Sequence, residues 1–336
     1  MSKVRKCVGT LRTGCDGQPG VTGKKYFCEV FSRPPDERGL GADAVSYEEL
    51  RRLYHMGSSY REVLFELVSA INAGDFCPEA AELLGDNFLF ALEKPDGGTR
   101  PIGVGAALRR LAGRVVMRQL EQEIREVFTT TAVPAEMLEA AGHDPDRRCN
   151  VPLQLGCCTP GGAEILISMS RLALSADHRW AVLSDDKKNG FNAISRSSIF
   201  AGLRRWFPQL IPCARLFYSR AARLYTSGKL GRTPARDEDG EEFFSMKGCT
   251  QGDALGPFFF AIGYHMALLE TQAAHPDVAI WAYLDDTYYL QVPAMALAAM
   301  RTGTERTLEI CAVASNLKKQ EAFSYGDSLD LATHVR

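Results

Sequence analysis

The sequence predicts an α/β protein of the α+β kind, in which short strands bring carboxylates to one place among longer helices. Three observations predict it. Residues 280–292 hold two β-prone runs, Ile280 to Leu284 and Tyr288 to Val292, joined by Asp285, Asp286 and Thr287, which reads as a tight hairpin with two carboxylates at its tip. A second apolar strand, 180–183, runs straight into Ser184, Asp185 and Asp186. Between and around them lie amphipathic or apolar stretches of helical spacing, such as 195–206 and 253–274.

At 336 residues and 46% hydrophobic, the chain is long enough to bury a substantial core in two or three subdomains. No apolar run approaches the roughly 18 to 20 residues that cross a bilayer, and the basic start is not followed by a signal-peptide core, so an intracellular, soluble protein without a membrane partner is expected. The ten cysteines form no C-x-x-C pair and stand at no zinc spacing with histidine, so reduced thiols are expected, and neighbouring Cys157 and Cys158 receive no role. The net charge of −2 argues against a surface that grips nucleic acid everywhere. Arginine is nevertheless clustered, from Arg100 to Arg125 and from Arg196 to Arg236, and it is the residue suited to bidentate phosphate contacts.

Residues 1–43 are rich in Gly, Lys, Arg, Ser and Pro with weak periodicity and read as an irregular lead-in. Helical spacing runs from Ser46 to Ile71, and Gly74 and Pro78 break it. Residues 87–93 are strand-like and lead into Pro95-Asp96-Gly97-Gly98, a turn signal that places Lys94 and Arg100 on either side of a hairpin tip. Helices are expected over 108–127, 163–174, 195–206, 212–225, 253–274 and 294–315. Asp239-Gly240 reads as a hairpin turn before a strand at 242–246, and 317–323 as an edge strand.

A strand delivering Asp186 and a hairpin delivering Asp285 and Asp286 bring carboxylates from two parts of the chain to one point. Packed carboxylates repel each other and resist desolvation, so such a set calls for a cation. Hard oxygen ligands suit Mg²⁺ or Mn²⁺, and a pair of these ions about 3.5 to 4 Å apart can flank a reacting phosphate. Successive strand residues face opposite ways, so Asp186 and Asp285 are assigned the metal role and Asp286 a partial one.

These residues carry a resemblance. Tyr283-Leu284-Asp285-Asp286 resembles the Tyr-x-Asp-Asp hairpin of reverse transcriptases, and Asp186 with 189–196 resembles their first catalytic aspartate segment. Residues 248–257 are similar to that family's Gln-Gly-Asp-x-Leu-Gly-Pro loop, 94–102 to its fingers hairpin, and 316–321 to its Asn-x-x-Lys-x-Glu segment. The wording Asn-x-Phe-Asn and Gln-Gly-Asp-x-Leu-Gly-Pro resembles the non-LTR retrotransposon (LINE-like) branch. The resemblance covers roughly residues 60 to 325, with the segments in the family's order.

The resemblance implies a right-hand polymerase fold, fingers and palm, with an antiparallel palm sheet: 44–180 rich in fingers and 181–336 palm. It implies an RNA-directed DNA polymerase that adds deoxynucleoside triphosphates to a primer on an RNA or DNA template, with Asp186, Asp285 and Asp286 catalytic and two Mg²⁺ or Mn²⁺ ions as cofactors. Lys94 and Arg100 would cover the triphosphate, and Phe191 would exclude a 2′-hydroxyl. Gln251 and Gly252 would line the nucleotide, and Lys319 would meet the leaving pyrophosphate. Some residues depart from the family pattern. Asp185 stands where an apolar residue is usual, Gly190 replaces an alanine, and Leu284 replaces a smaller residue. The family's primer grip and helical thumb are expected after Lys319 and are not found before Arg336. Two alternatives follow: a catalytically silent or domesticated fragment that binds nucleic acid or a protein partner, and an RNA-dependent RNA polymerase, against which Phe191 argues.

Overall fold

The computed structural model describes residues 22–35, 40–41, 43–93, 97–228, 231–235, 242 and 244–325. They fall into two compact units, Met1–Leu120 with Leu203–Gly256, and Glu121–Gly202 with Pro257–Arg336. The α/β expectation is met, with helices and two mixed sheets. Among the described residues no helix is long and apolar enough to cross a membrane.

The first unit begins with a helix, α1 (Lys24–Ser32), where irregular chain was expected. Weak periodicity hid it, because its burial rests on few residues: Phe27 and Phe31, 4.6 Å apart, pack against Tyr54 of α2 (Tyr47–His55). A capping box of Ser46 and Glu49 starts α2 by satisfying otherwise unpaired backbone donors. Helix α3 (Ser58–Ala73) stops at Gly74, whose φ of 68° is the left-handed conformation that glycine adopts without cost, and α4 (Pro78–Gly85) starts on proline.

Strands β1 (Asn87–Glu93) and β2 (Thr99–Gly105) form the expected antiparallel hairpin, with Leu92 opposite Arg100. The long helix α5 (Ala107–Thr130) follows, with its residues to Leu120 in this unit. Beyond α6 (Ala135–Ala140) in the second unit, the chain returns to this one, and the helix expected over 212–225 is shorter. The last helix here spans Ile211–Tyr218, after which Ala222–Gly228 is a strand. Arg223-Leu224-Tyr225-Thr226 is β-prone, and its pairing beside Asn87 and Phe88 of β1 overrides the helical spacing. Further strands at Gly231–Pro234 and Phe244–Ser245 pair with it. The turn expected at Asp239-Gly240 lies outside the described residues.

The second unit is built on one sheet. Its strands are β3 (Leu153–Gln154), β4 (Ala181–Asp185), then Ala279–Tyr283, Asp286–Gln291 and Glu321–Phe323, numbered β8, β9 and β10 after β5 to β7 at Ala222–Gly228, Gly231–Pro234 and Phe244–Ser245. Their order is β10-β4-β9-β8-β3. The carboxylate-bearing sheet was expected to be antiparallel, and this sheet is so except at its edge, where β3 runs parallel to β8. The edge strand expected over 317–323 is only 321–323, because Leu317–Lys319 forms one 3₁₀ turn.

Helix α7 (Gly162–Ala176) packs Leu166 and Leu174 on one face of the sheet, against Val182, Trp281 and Leu290. After the short α8 (Gly190–Ala193) and α9 (Arg196–Trp206), with α10 being Ile211–Tyr218, the other face is covered by α11 (Gly256–Ala274) and α12 (Pro293–Cys311). Tyr264 of α11 bonds Thr287 at 2.7 Å, and Gly303 of α12 leaves room for the Tyr289 hydroxyl. Burial on that second face is nearly complete. On the first face, Ser184, Tyr288, Asp186 and Asp286 are only half-buried, so this end of the face is open.

Candidate active site

The open end is made by two strands that run into carboxylates. Strand β4 pairs with β9 so that Asp185 faces Thr287, and the next residue in that register sets Asp186 across from Asp286. Residues opposite each other share a face, which places Asp186 and Asp286 together with Ser184 and Tyr288. The hairpin turn differs from the expectation. Its loop residues are Leu284 and Asp285, Asp286 is the first residue of β9, and Thr287 is buried in the strand. The polar residues looked like the turn, yet Thr287 is held inward by Tyr264.

The electrostatics of this end are those of crowded like charges. Burial, then Asp285 and Asp186, push the Asp286 carboxyl up to about 6, and Lys319 and Lys187 only partly oppose them. Asp186 accepts a bond from Asn316 Nδ2 at 3.2 Å and lies 3.7 Å from Lys319 Nζ, while its carbonyl accepts from the Asn316 backbone. The Lys319 side chain is half exposed, so its pair with Asp186 is a weak one.

Asp185 is a separate case. It is fully buried, pairs with Lys187 and accepts from Ser315 Oγ at 2.8 Å and Gln320 Nε2 at 3.0 Å. Its charge is thus consumed inside the fold, on the face opposite Asp186. Burial opposes the Lys187 charge, but Tyr264 and Asp185 outweigh it and keep the ammonium protonated.

Phe191 sits on α8, which is entered through Asn189 at a φ of 53°. Its ring is buried and stacks on Phe260 with centroids 4.9 Å apart and planes 13° from parallel, which fixes the ring plane. Gly190 lies against Asp285: a Cβ there would meet Asp285 Cβ at 3.1 Å and the Phe260 ring at the same distance. The glycine therefore ties the Asp186–Phe191 segment closely to the hairpin.

The remaining expected residues belong to the first unit. Arg100 is exposed on β2, and Lys94 lies outside the described residues. The backbone carbonyl of Gln251 accepts from Gly103 N at 2.8 Å, and Gly252, at a φ of 110°, would place a Cβ 2.6 Å from the Gly103 carbonyl. That glycine is explained by its close approach to β2. The Gln251 Oε1 atom is buried with no hydrogen-bond partner. Next to it, Asp253 is held by Arg109 and by Tyr218 at 2.7 Å, and Thr250 N donates to Tyr218 at 3.3 Å. Burial would raise the Asp253 carboxyl, but the Arg109 charge and the bonds from Tyr218 and Leu255 win and hold it below its usual range.

Mg²⁺ or Mn²⁺ fits the donor chemistry of Asp186, Asp285 and Asp286, whose mutual repulsion a cation would relieve. Among the described residues no three acidic, cysteine or histidine side chains are arranged ready-made around one ion, so the fit is one of charge and donor type.

Sequence reasoning missed Gln154, which is fully buried and bonds the backbone of Leu284 on both sides, and the Arg109–Asp253–Tyr218 network that braces the loop at Gln251. A glutamine between Leu153 and Leu155 in an apolar strand was the available signal for the first. The Asp253 of the Gln-Gly-Asp segment was the signal for the second.

No family model matches the chain. Over 95% of its length it is 25% identical to the retrotransposable element SLACS 132 kDa protein of Trypanosoma brucei gambiense, of which it spans 26%. Three solved telomerase structures from Candida tropicalis also resemble it. The apo enzyme lacking its C-terminal domain gives a TM-score of 0.47 at 13% identity, over 73% of this chain and 51% of that one. The apo enzyme gives 0.49 at 11%, over 75% and 46%. The enzyme with a fragment of telomeric RNA gives 0.46 at 12%, over 74% and 42%. Along nearly its whole length, then, the chain is similar to one part of a retrotransposable-element protein.

Proposed function

We propose that the chain is the reverse-transcriptase core of a retroelement, an RNA-directed DNA polymerase that joins deoxynucleotides to a primer 3′-hydroxyl. The observation that carries this reading is the meeting of Asp186, from the end of β4, with the Asp285–Asp286 hairpin on an open sheet face, where burial and then the charges of Asp285 and Asp186 raise Asp286 to about 6. Likeness to a retrotransposable-element protein over 95% of the chain supports it.

Asp186 and Asp285 would hold two Mg²⁺ or Mn²⁺ ions, with Asp286 beside them. Bound there, such ions supply Lewis-acid stabilisation of an attacking hydroxyl and of a leaving pyrophosphate. The chain's own residues do the orienting. Phe191, fixed against Phe260, closes the space beneath the sugar and selects deoxynucleotides. Gln251 offers its free acceptor to the nucleotide, and Lys94 and Arg100 neutralise the triphosphate. Lys319, beside Asp186, meets the leaving pyrophosphate.

The test is Mg²⁺-dependent primer extension on an RNA template with deoxy- or ribonucleotides, comparing the chain with Asp285→Ala and Phe191→Val. Deoxynucleotide incorporation lost in Asp285→Ala, with ribonucleotides gaining ground in Phe191→Val, is expected. A folded chain that extends no primer but retains RNA would overturn the enzymatic reading in favour of a silent nucleic-acid-binding fragment. Preference for ribonucleotides would point instead to an RNA-dependent RNA polymerase.

A further inference from the structure

The two-residue loop of the carboxylate hairpin is built from an unfavourable conformation. Leu284 has a φ of 56°, a region that a bulky side chain occupies only when its surroundings force it there. Glycine or asparagine would be the ordinary choice for such a hairpin position. Something must therefore hold Leu284 in place, since Asp285 follows it directly and Asp286 begins the next strand.

The holding group is Gln154, on the edge strand β3. Strand β3 pairs with β8 only through Leu153 and Gln154, opposite Trp281 and Ala282, with one further bond from Leu155 N to the Ala282 carbonyl. The Gln154 side chain then extends that pairing. Its Oε1 accepts from Leu284 N at 2.7 Å and its Nε2 donates to the Leu284 carbonyl at 3.1 Å, so one carboxamide satisfies both backbone groups of the strained residue. The same Oε1 accepts from Gly156 N at 3.0 Å, which fixes the amide in turn. Gly156 is required by the fit: a Cβ there would lie 2.6 Å from Leu284 N. Only a carboxamide presents an acceptor and a donor at this spacing; a carboxylate lacks the donor and an aliphatic chain lacks both. Gln154 is fully buried, so no water competes for either bond.

We infer that Gln154 is a positioning residue, an amide clamp that holds Leu284 in its left-handed conformation and thereby sets where the Asp285 and Asp286 carboxylates stand. The inference rests on the polymerase reading of that hairpin for its effect on turnover, but the clamp itself is a property of the backbone and is read separately. Displacement of a reacting constellation by about 1 Å costs on the order of a hundredfold in rate, so a clamp remote from the substrate acts on kcat.

Two readouts on the intact chain test it. The first is hydrogen exchange at the Leu284 amide in the parent chain and in Gln154→Met, which keeps length and burial but removes both bonds. Exchange at least about tenfold faster in the variant is expected, with the other β8 and β9 amides unchanged. The second is primer extension, where Gln154→Met should lower kcat between about tenfold and a hundredfold while the KM for deoxynucleotide stays within about twofold. Adding Leu284→Gly, which takes a positive φ without help, should restore a large part of that kcat. A merely space-filling glutamine would not be rescued in this way. Should Gln154→Met not fold, Gln154→Leu also removes both the acceptor and the donor at similar volume, and the same two readouts apply. Unchanged Leu284 exchange in a folded variant overturns the clamp, as does a kcat loss that Leu284→Gly leaves in place. If the parent chain has no polymerase activity, the polymerase reading fails, and the exchange result alone then upholds or overturns the clamp.

Discussion

Lys187 neutralises Asp185 inside the fold, so that of two adjacent aspartates only Asp186 is left for the open face of the sheet. The pair is fully buried and further bonded through Ser315 and Gln320, which ties β4 to the segment after α12. Removing one partner of a buried pair strands the other charge. Asp185→Leu or Lys187→Met alone is therefore expected to cost about 3 to 5 kcal/mol in urea unfolding, and the double substitution far less. Asp186→Ala, at a half-exposed position, should change stability by no more than about 0.5 kcal/mol while abolishing primer extension. A large stability loss in Asp186→Ala, or additive losses in the Asp185/Lys187 pair, would contradict this division of labour.

The crowding around Asp286 gives stability a pH dependence with a definite sign. Its folded carboxyl titrates near 6, above its unfolded value of about 3.9, so between those values the unfolded chain releases a proton that the folded chain retains. Stability without metal should therefore fall as pH rises through roughly 4 to 6, as far as this group contributes. Asp286→Asn removes that decline, so it should raise the unfolding midpoint at pH 7.5 and leave it nearly unchanged at pH 4. Adding Mg²⁺ should raise the midpoint of the parent chain at pH 7.5 more than that of Asp286→Asn. Equal Mg²⁺ responses in the two would mean that Asp286 is no part of a cation site.

The loop preceding α11 depends on a buried network. Arg109 and Tyr218 both bond Asp253, and Tyr218 also accepts from Thr250 N. Tyr218→Phe leaves Asp253 and the Thr250 amide each one partner short, which should cost about 1 to 3 kcal/mol. Arg109→Met leaves a buried carboxylate unpaired and should cost more, about 3 to 5 kcal/mol. If the loop serves a nucleotide, Tyr218→Phe should also raise the KM for deoxynucleotide. Thermal or urea unfolding separates the stability effect from the kinetic one.

Phe191 has two jobs that a single substitution can disentangle. Its stack on Phe260 contributes core packing, so Phe191→Ala should cost about 3 to 5 kcal/mol and confuse any kinetic result. Phe191→Val keeps part of the buried volume, and its expected signature is a rise in ribonucleotide incorporation relative to deoxynucleotide, with a smaller stability loss. Unaltered sugar preference in a folded Phe191→Val chain would make Phe191 a core residue only.

Local pattern carried the strand–hairpin architecture and the convergence of carboxylates, because alternation and β-propensity act within a few residues. Asn87–Glu93 emerges with the expected bounds, and its partner hairpin strand follows from Pro-Asp-Gly-Gly. The details that failed were set at long range. The turn was read onto Thr287 because it is polar, but Tyr264 draws Thr287 inward, and Gln154, 130 residues before Leu284, lets a leucine take a glycine-like conformation. Strand alternation could say that Asp185 and Asp186 face opposite ways, but not which faces in. That was decided by Lys187, Ser315 and Gln320. Likewise 222–225, expected as the end of the helix over 212–225, becomes strand because β1 lies beside it.

Gln251 and Gly252 separate ligand chemistry from backbone shape at adjacent positions. Gly252 has a φ of 110° and a carbonyl where its Cβ would be, so Gly252→Ala should cost about 1 to 3 kcal/mol and shift the loop away from β2. Gln251 keeps its main-chain bond from Gly103 whatever its side chain, and its buried Oε1 has no partner within the fold. Gln251→Ala removes an unsatisfied acceptor and should leave the unfolding midpoint unchanged or slightly higher. If that acceptor is kept for a nucleotide, the same variant must bind deoxynucleotide more weakly, by roughly the 1 to 1.5 kcal/mol of one hydrogen bond, which is about a tenfold rise in KM. A Gln251→Ala chain with normal stability and normal KM would leave the glutamine no part in nucleotide binding, whereas normal stability with a raised KM is an outcome that a structural role cannot produce.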